Sequence, residues 1–176
     1  MKRHIVIAGK RHVGKTTLVN RILDDNNVPV YGFRTAPGKS LRQGYRSFFM
    51  HPAGAPERFE SEENHIGDGN GIKPVGYPEV FDSYGLKCLE AKPDGVIVMD
   101  ELGFMEKDAE LFCNRILELF DGDIPILATA KEGHDIELLN RIFEHPNAEV
   151  FHINTDNRDE LYDTISALIR ERGGLV

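Results

Sequence analysis

The chain has 176 residues, 40% hydrophobic and 28% charged, so one compact domain over 1–176 is the expectation. Its net charge of −8 is lopsided: residues 1–46 hold ten of the 21 Lys and Arg but only two of the 29 acids. An acidic body argues against nucleic acid as the main partner, a basic N-terminal quarter suits a small polyanion, and no apolar run is long enough for a membrane helix.

The first residues, Met1-Lys2-Arg3-His4, are basic, and the apolar stretch behind them is too short for a signal peptide, so a cytoplasmic location is expected. His4 to Ala8 is a short β-branched run ending at Gly9 and reads as a buried strand. Thr16 to Leu23 sets Leu18, Val19, Ile22 and Leu23 on one helical stripe, which Asp24-Asp-Asn-Asn27 is expected to break. Val28 to Thr35 is the next extended stretch. Residues 36–76 lack a helical period and read as an irregular or hairpin-like insertion over the site, with Ser40 to Met50 as an extended arm and Gly67 to Gly71 as a flexible loop.

Regularity returns with a helix over Glu79 to Ala91 and the clearest buried strand, Asp94 to Asp100. Lys107 to Phe120 places Leu111, Phe112, Ile116, Leu119 and Phe120 on one helical face. A strand at Ile124 to Thr129, a helix at Ile136 to Phe143, a strand at Glu149 to Ile153 and a helix bearing Leu161, Ile165, Leu168 and Ile169 complete the chain. Apolar strands alternating with amphipathic helices indicate an α/β fold of three layers, a mostly parallel sheet with helices on both faces. Cys88 and Cys113 each fall in a predicted helix and read as inert thiols, and zinc has no support.

Gly9-Lys10-Arg11-His12-Val13-Gly14-Lys15-Thr16 matches G-x-x-x-x-G-K-[ST] in full, between a buried strand and an amphipathic helix. In such a loop successive backbone N–H groups turn inward on phosphates, and the helix N-terminus adds its dipole. Lys15 is then expected to reach the β- and γ-phosphates, Thr16 to ligate Mg²⁺ and Thr17 to meet the α-phosphate. His12 stands where φ > 0 is often required, which His tolerates better than most residues. Asp100 ends its strand and Glu101 follows. The first suits a hydrated Mg²⁺, the second an attacking water, and strand ends carry acids for bland reasons too.

Over nearly its whole length the chain resembles the THEP-type, or cancer-related, nucleoside triphosphatases. The resemblance rests on Gly9–Thr17, Val28-Pro-Val-Tyr-Gly-Phe-Arg-Thr35, Val80-Phe-Asp-Ser-Tyr84, Val98-Met-Asp-Glu-Leu-Gly-Phe-Met-Glu106, Ile126–Thr129 and Phe151–Asp159. It implies a P-loop NTPase fold with an added central strand, acting as a hydrolase of ATP, GTP and other triphosphates with Mg²⁺. Arg11-His12 replaces the family's usual Pro-Gly, Ala36-Pro37 replaces a usual acid, and 36–76 matches poorly.

Arg158 follows a strand and should emerge beside Gly9 and Asp100, where it touches the γ-phosphate, stacks on the base, or merely pairs with Asp159 or a loop carbonyl. Thr129 is either a γ-phosphate sensor or a plain strand end, and Glu106 a residue favouring its helix N-terminus. Two other functions compete with hydrolysis. A kinase would use Arg34, Lys39, Arg42 and Arg46 as a lid but needs a second pocket for its acceptor. A nucleotide switch fits Asp100-Glu-Leu-Gly103 as D-x-x-G, yet Ala130-Lys-Glu-Gly133 stands where a guanine-reading N-K-x-D is expected. Preferred nucleotide, biological use and oligomeric state are not written in the sequence.

Overall fold

A computed structural model describes residues 2–42, 44–69 and 74–175. The elements run β1 (His4–Gly9), α1 (Lys15–Asn26), β2 (Val30–Arg42), β3 (Tyr45–Pro52), β4 (His65–Gly69) and β5 (Val75–Gly76). A helical stretch of α2 (Pro78–Val80), a π-helical segment (Phe81–Gly85) and α3 (Leu86–Cys88) comes next. Then follow β6 (Val96–Leu102), α4 (Glu110–Asp121), β7 (Ile126–Lys131), α5 (Glu137–Phe143), β8 (Ala148–His152) and α6 (Arg158–Glu171).

All eight strands join one sheet in the order β5-β4-β3-β2-β6-β7-β1-β8. From β2 to β8 the pairings are parallel, and from β2 outward to β5 they are antiparallel. Strands covered on both faces need apolar side chains throughout, and β1 and β7 are buried almost end to end. β7 is the added central strand, lying between β1 and β6. One face of the sheet packs Ile5, Val96 and Val98 against Leu18 and Ile22 of α1 and Ile165 and Ile169 of α6. The other packs Phe33, Met50 and Met99 against Phe81, Phe112 and Ile116, with Leu139 and Ile142 of α5. No helix among the described residues is long and apolar enough to cross a membrane.

Four local expectations change. α1 runs past Asp24 to Asn26 and stops where Asn27 takes left-handed φ 44°, its N–H donating to Leu23 O. The 36–76 insertion takes the hairpin-like form, β2 and β3 pairing antiparallel and extending the main sheet, but its Gly67–Gly69 is part of β4 rather than a loop. Asn70 and Gly71 of that expected loop, and the Arg42 side chain, lie outside the described residues. The helix expected over 79–91 ends at Cys88, and its Gly85 takes the edge of Phe112, on which a Cβ would sit at 2.8 Å. α4 starts at Glu110 rather than Lys107, and Leu111 faces solvent because it lies one helical step off the stripe led by Phe112. Cys88 and Cys113 are free, and burial pushes both thiols up, to about 11 and about 12.

Candidate active site at the carboxyl ends of β1 and β6

β1 delivers Gly9 to the sheet edge, and the loop from there to Gly14 opens α1. Gly14 takes φ 102°, which a side chain resists, and His12 takes φ 62°, as its position in the loop suggested. α6 has Asp159 and Glu160 in its first turn and α4 has Glu110, whereas α1 has no acid there. The first N–H groups of a helix lack intrahelical partners, so the start of α1 offers donors and a positive dipole end to an anion.

Lys15 is buried beneath this loop. Its Nζ donates to Gly9 O at 3.0 Å and Lys10 O at 2.7 Å, and lies 3.3 Å from Glu101 Oε2. These partners aim the ammonium across the loop mouth toward the end of β6. There the ladder with β7 shifts register between Met99 and Leu102, leaving Asp100 and Glu101 out of regular pairing with β7.

The two carboxylates have different surroundings. Asp100 is almost fully buried: Thr16 and Thr129 hydroxyls donate to its Oδ1 at 3.1 and 2.7 Å, and Arg34 Nη1 lies 3.4 Å from its Oδ2. Glu101 is half-buried, its backbone N–H donates to the Thr35 hydroxyl at 3.4 Å, and its side chain faces Lys15. Thr129 therefore gives its hydroxyl to Asp100 and is more than a bare strand end. Arg34 is held on Asp100 rather than in a lid. Register explains both, since β2 pairs Arg34 with Asp100 and β7 flanks β6 on its other side. Thr35 received no role from the sequence, although it closes the Val28–Thr35 segment on which the resemblance partly rests.

Glu106 does not sit at a helix start. It lies in the turn before α4, buried, its Oε1 accepting the Gly103 N–H at 2.6 Å. Burial pushes its carboxyl up to about 7 despite that bond. Arg158 opens α6, and its side chain lies over the loop: a Cβ on Gly14 would stand 2.9 Å from its Cδ and 3.1 Å from its Nη1. The expected partner Asp159 pairs instead with Arg21 at 3.2 Å. Lys10, exposed, and Val13, half-buried, complete the loop, while Arg11, His12, Gly14, Lys15, Thr16, Thr17, Asp100 and Glu101 all line one cavity of about 840 Å³.

Residues 4–166 match a family model described as NTPase. The nucleoside-triphosphatase THEP1 of Methanocaldococcus jannaschii is 30% identical over 170 residues, covering 92% of this chain and 94% of that protein. The human cancer-related nucleoside-triphosphatase is 24% identical over 196 residues, covering 97% and 98%. The crystal structure of THEP1 from the hyperthermophile Aquifex aeolicus aligns with a TM-score of 0.71 at 24% identity, over 94% of this chain and 98% of that one, a likeness of fold. A match that runs from β1 into α6 means that the chain belongs to the NTPase family, the P-loop nucleoside-triphosphatases.

Proposed function

We propose that this chain hydrolyses the β–γ bond of nucleoside triphosphates with Mg²⁺, using Glu101 as the base that takes a proton from the attacking water. The observation that carries the reading is the convergence of Lys15, Thr16, Asp100 and Glu101 beyond the carboxyl ends of β1 and β6, on either side of β7, with Lys15 Nζ 3.3 Å from Glu101 Oε2. The backbone of Gly9 to Thr17 cradles the phosphates, and Thr17 meets the α-phosphate. A γ-phosphate competes with the Gly9 and Lys10 carbonyls and with Glu101 for the Lys15 ammonium. Once Lys15 turns to phosphate, the Glu101 carboxylate is released to a water in line with the β–γ bond.

The residues present fit a hard divalent cation. Thr16 and Asp100 bring one hydroxyl and one carboxylate oxygen 3.1 Å apart, both oxygen donors. Among the described residues no three His, Cys, Asp or Glu gather as a metal cluster, so such a cation takes its other ligands from water and phosphate oxygens, as Mg²⁺ commonly does. When bound there, Mg²⁺ neutralises charge on the β- and γ-phosphates. Thr129 and Arg34 hold the Asp100 carboxylate in place for it. Arg158, lying over Gly14, adds positive charge along the phosphate chain.

A broad nucleotide range fits the Ala130-Lys-Glu-Gly133 segment at the end of β7, which lacks the N-K-x-D side chains that read guanine. The test is phosphate release from ATP, GTP, CTP and UTP, each with Mg²⁺ and with EDTA. Release from several triphosphates that stops with EDTA is expected. Release that persists in EDTA contradicts the metal assignment, and no release from any of the four contradicts the reading.

A further inference from the structure

The cavity at the P-loop has two halves. One is walled by Gly14–Thr17, Asp100 and Glu101; the other, past Glu101, by Pro37, Arg46, Phe48, Pro74, Phe104 and Met105. Sheet order separates them, because β1 lies on one side of β6 while β2, β3 and β4 lie on the other. The covering layers separate them too. α1 belongs to the face packed with Ile5 and Val98, whereas Phe48, Phe104 and Met105 pack on the opposite face with Phe81 and Phe112. A triphosphate whose γ end meets Glu101 fills the first half and points into the second.

The second half is closely built. β2 pairs Arg34 with Asp100 and, three residues further out, Pro37 with Phe48, which sets Phe48 roughly 10 Å further along the strand direction than Asp100 and two strands across the sheet from it. Arg46 is two residues from Phe48 on β3 and shares its face. Gly76 lets the Met105 carbonyl rest on β5, where a Cβ would stand 1.8 Å from that oxygen. A Cβ on Gly69 would likewise stand 3.3 Å from the Phe48 ring. Going outward from Glu101, the compartment therefore offers a proton acceptor, then an aromatic ring and a thioether, then an exposed guanidinium. Water alone needs none of the last three. A planar ring suits the middle, and a negative group suits Arg46.

We propose that this compartment binds a phosphoryl acceptor, a nucleoside or nucleoside monophosphate with a free ribose hydroxyl, and that the γ-phosphoryl group passes to that hydroxyl. This rests on the triphosphate-binding reading above and adds a second substrate to it. Glu101 takes the hydroxyl proton as the acceptor oxygen bonds to the γ-phosphorus. The bond from that phosphorus to the β–γ bridging oxygen breaks, and its electron pair stays on the departing nucleoside diphosphate. The products are a nucleoside diphosphate and a phosphate monoester. The need for a second pocket, which counted against a kinase at the level of sequence, is met by this compartment.

The test is calorimetric titration of the protein, saturated with Mg²⁺ and a non-hydrolysable ATP analogue, with adenosine, uridine and their 3′-monophosphates, whose 5′-hydroxyls are free. At least one probe is expected to bind. Phe48→Leu, which keeps apolar volume but loses the ring, should weaken it about tenfold, the usual worth of a base–aromatic stack. Arg46→Ala, at an exposed position, should remove any advantage of the 3′-phosphate. Phosphorus NMR with ATP should then show a new phosphate monoester. Failure of all four probes to bind overturns the proposal, as does binding that yields inorganic phosphate alone. So does a Phe48→Leu variant that loses affinity for the ATP analogue, because the compartment would then hold the nucleotide's own base. Phosphate release from ATP without acceptor, measured in parallel, separates the readings: its persistence beside failed binding sinks the acceptor site only, and its absence sinks both.

Discussion

Replacing Glu106 by Gln should make the protein more stable at alkaline pH while leaving it nearly unchanged in mild acid. The carboxyl is 3% exposed, and burial moves it from 4.5 to about 7, with the Gly103 N–H pulling the other way and the Glu101 charge adding to the rise. The folded chain thus holds this proton more tightly than the unfolded chain does. Stability from this group is greatest below the unfolded value, declines as pH rises through the folded value, and is level beyond it. At about 1.4 kcal/mol per tenfold, the move from 4.5 to about 7 corresponds to roughly 3 kcal/mol. Gln stays neutral and keeps an oxygen for the Gly103 N–H, so it avoids the cost of burying a charge. Urea unfolding of both proteins near pH 5 and near pH 8 measures this. The variant should match wild type within about 1 kcal/mol at the lower pH and gain up to about 3 kcal/mol at the higher. A difference that does not change with pH, or that turns toward wild type as pH rises, would refute the reasoning.

Lys15→Ala should abolish turnover and weaken triphosphate binding, because the charge-assisted contacts to the β- and γ-phosphates go with it. Without nucleotide its stability should change by no more than about 1–2 kcal/mol, because the loss of the bonds to Gly9 O and Lys10 O is offset by no longer burying the ammonium. Titration with an ATP analogue and a urea series check the two halves, and unaltered affinity would contradict the phosphate cradle. Arg158→Ala separates its two roles. A drop in rate common to ATP, GTP, CTP and UTP marks a phosphate contact, whereas a loss of affinity that differs among them marks a base contact. Wild-type kinetics with all four would leave Arg158 only its packing over Gly14.

The parts of this site that were legible in the sequence are those whose chemistry is contiguous. Gly9 to Thr16 states strand, loop and helix start within one motif, and even the positive φ at His12 follows from its place in the loop. Asp100 and Glu101 were legible as acids at the end of an apolar strand. What supports Asp100 was not, because Arg34 and Thr129 are brought to it by strand register across 66 and 29 residues of chain. The insertion misled through composition. Gly67 and Gly69 read as a flexible turn, yet a Cβ on Gly67 would stand 2.3 Å from Val75 O, so a strand partner rather than a loop demands the glycine there. Glu106 was placed at a helix start because the apolar stripe of α4 was extended one turn too early, and its burial beneath Gly103 depends on a turn that periodicity does not describe.

The central claim is that Glu101 removes a proton from the attacking water while Lys15, Thr16 and Asp100 hold the phosphates and the metal. Glu101→Gln tests it most directly, through single-turnover hydrolysis at saturating ATP beside a binding titration with Mg²⁺ and an ATP analogue. The amide keeps the shape, lies where the carboxylate now faces Lys15 at 3.3 Å, and takes one negative charge away from the γ-phosphate. Binding should therefore equal or exceed wild type, while hydrolysis falls by roughly 10²–10⁴-fold, the usual worth of a positioned general base. Hydrolysis within a few-fold of wild type would contradict the account.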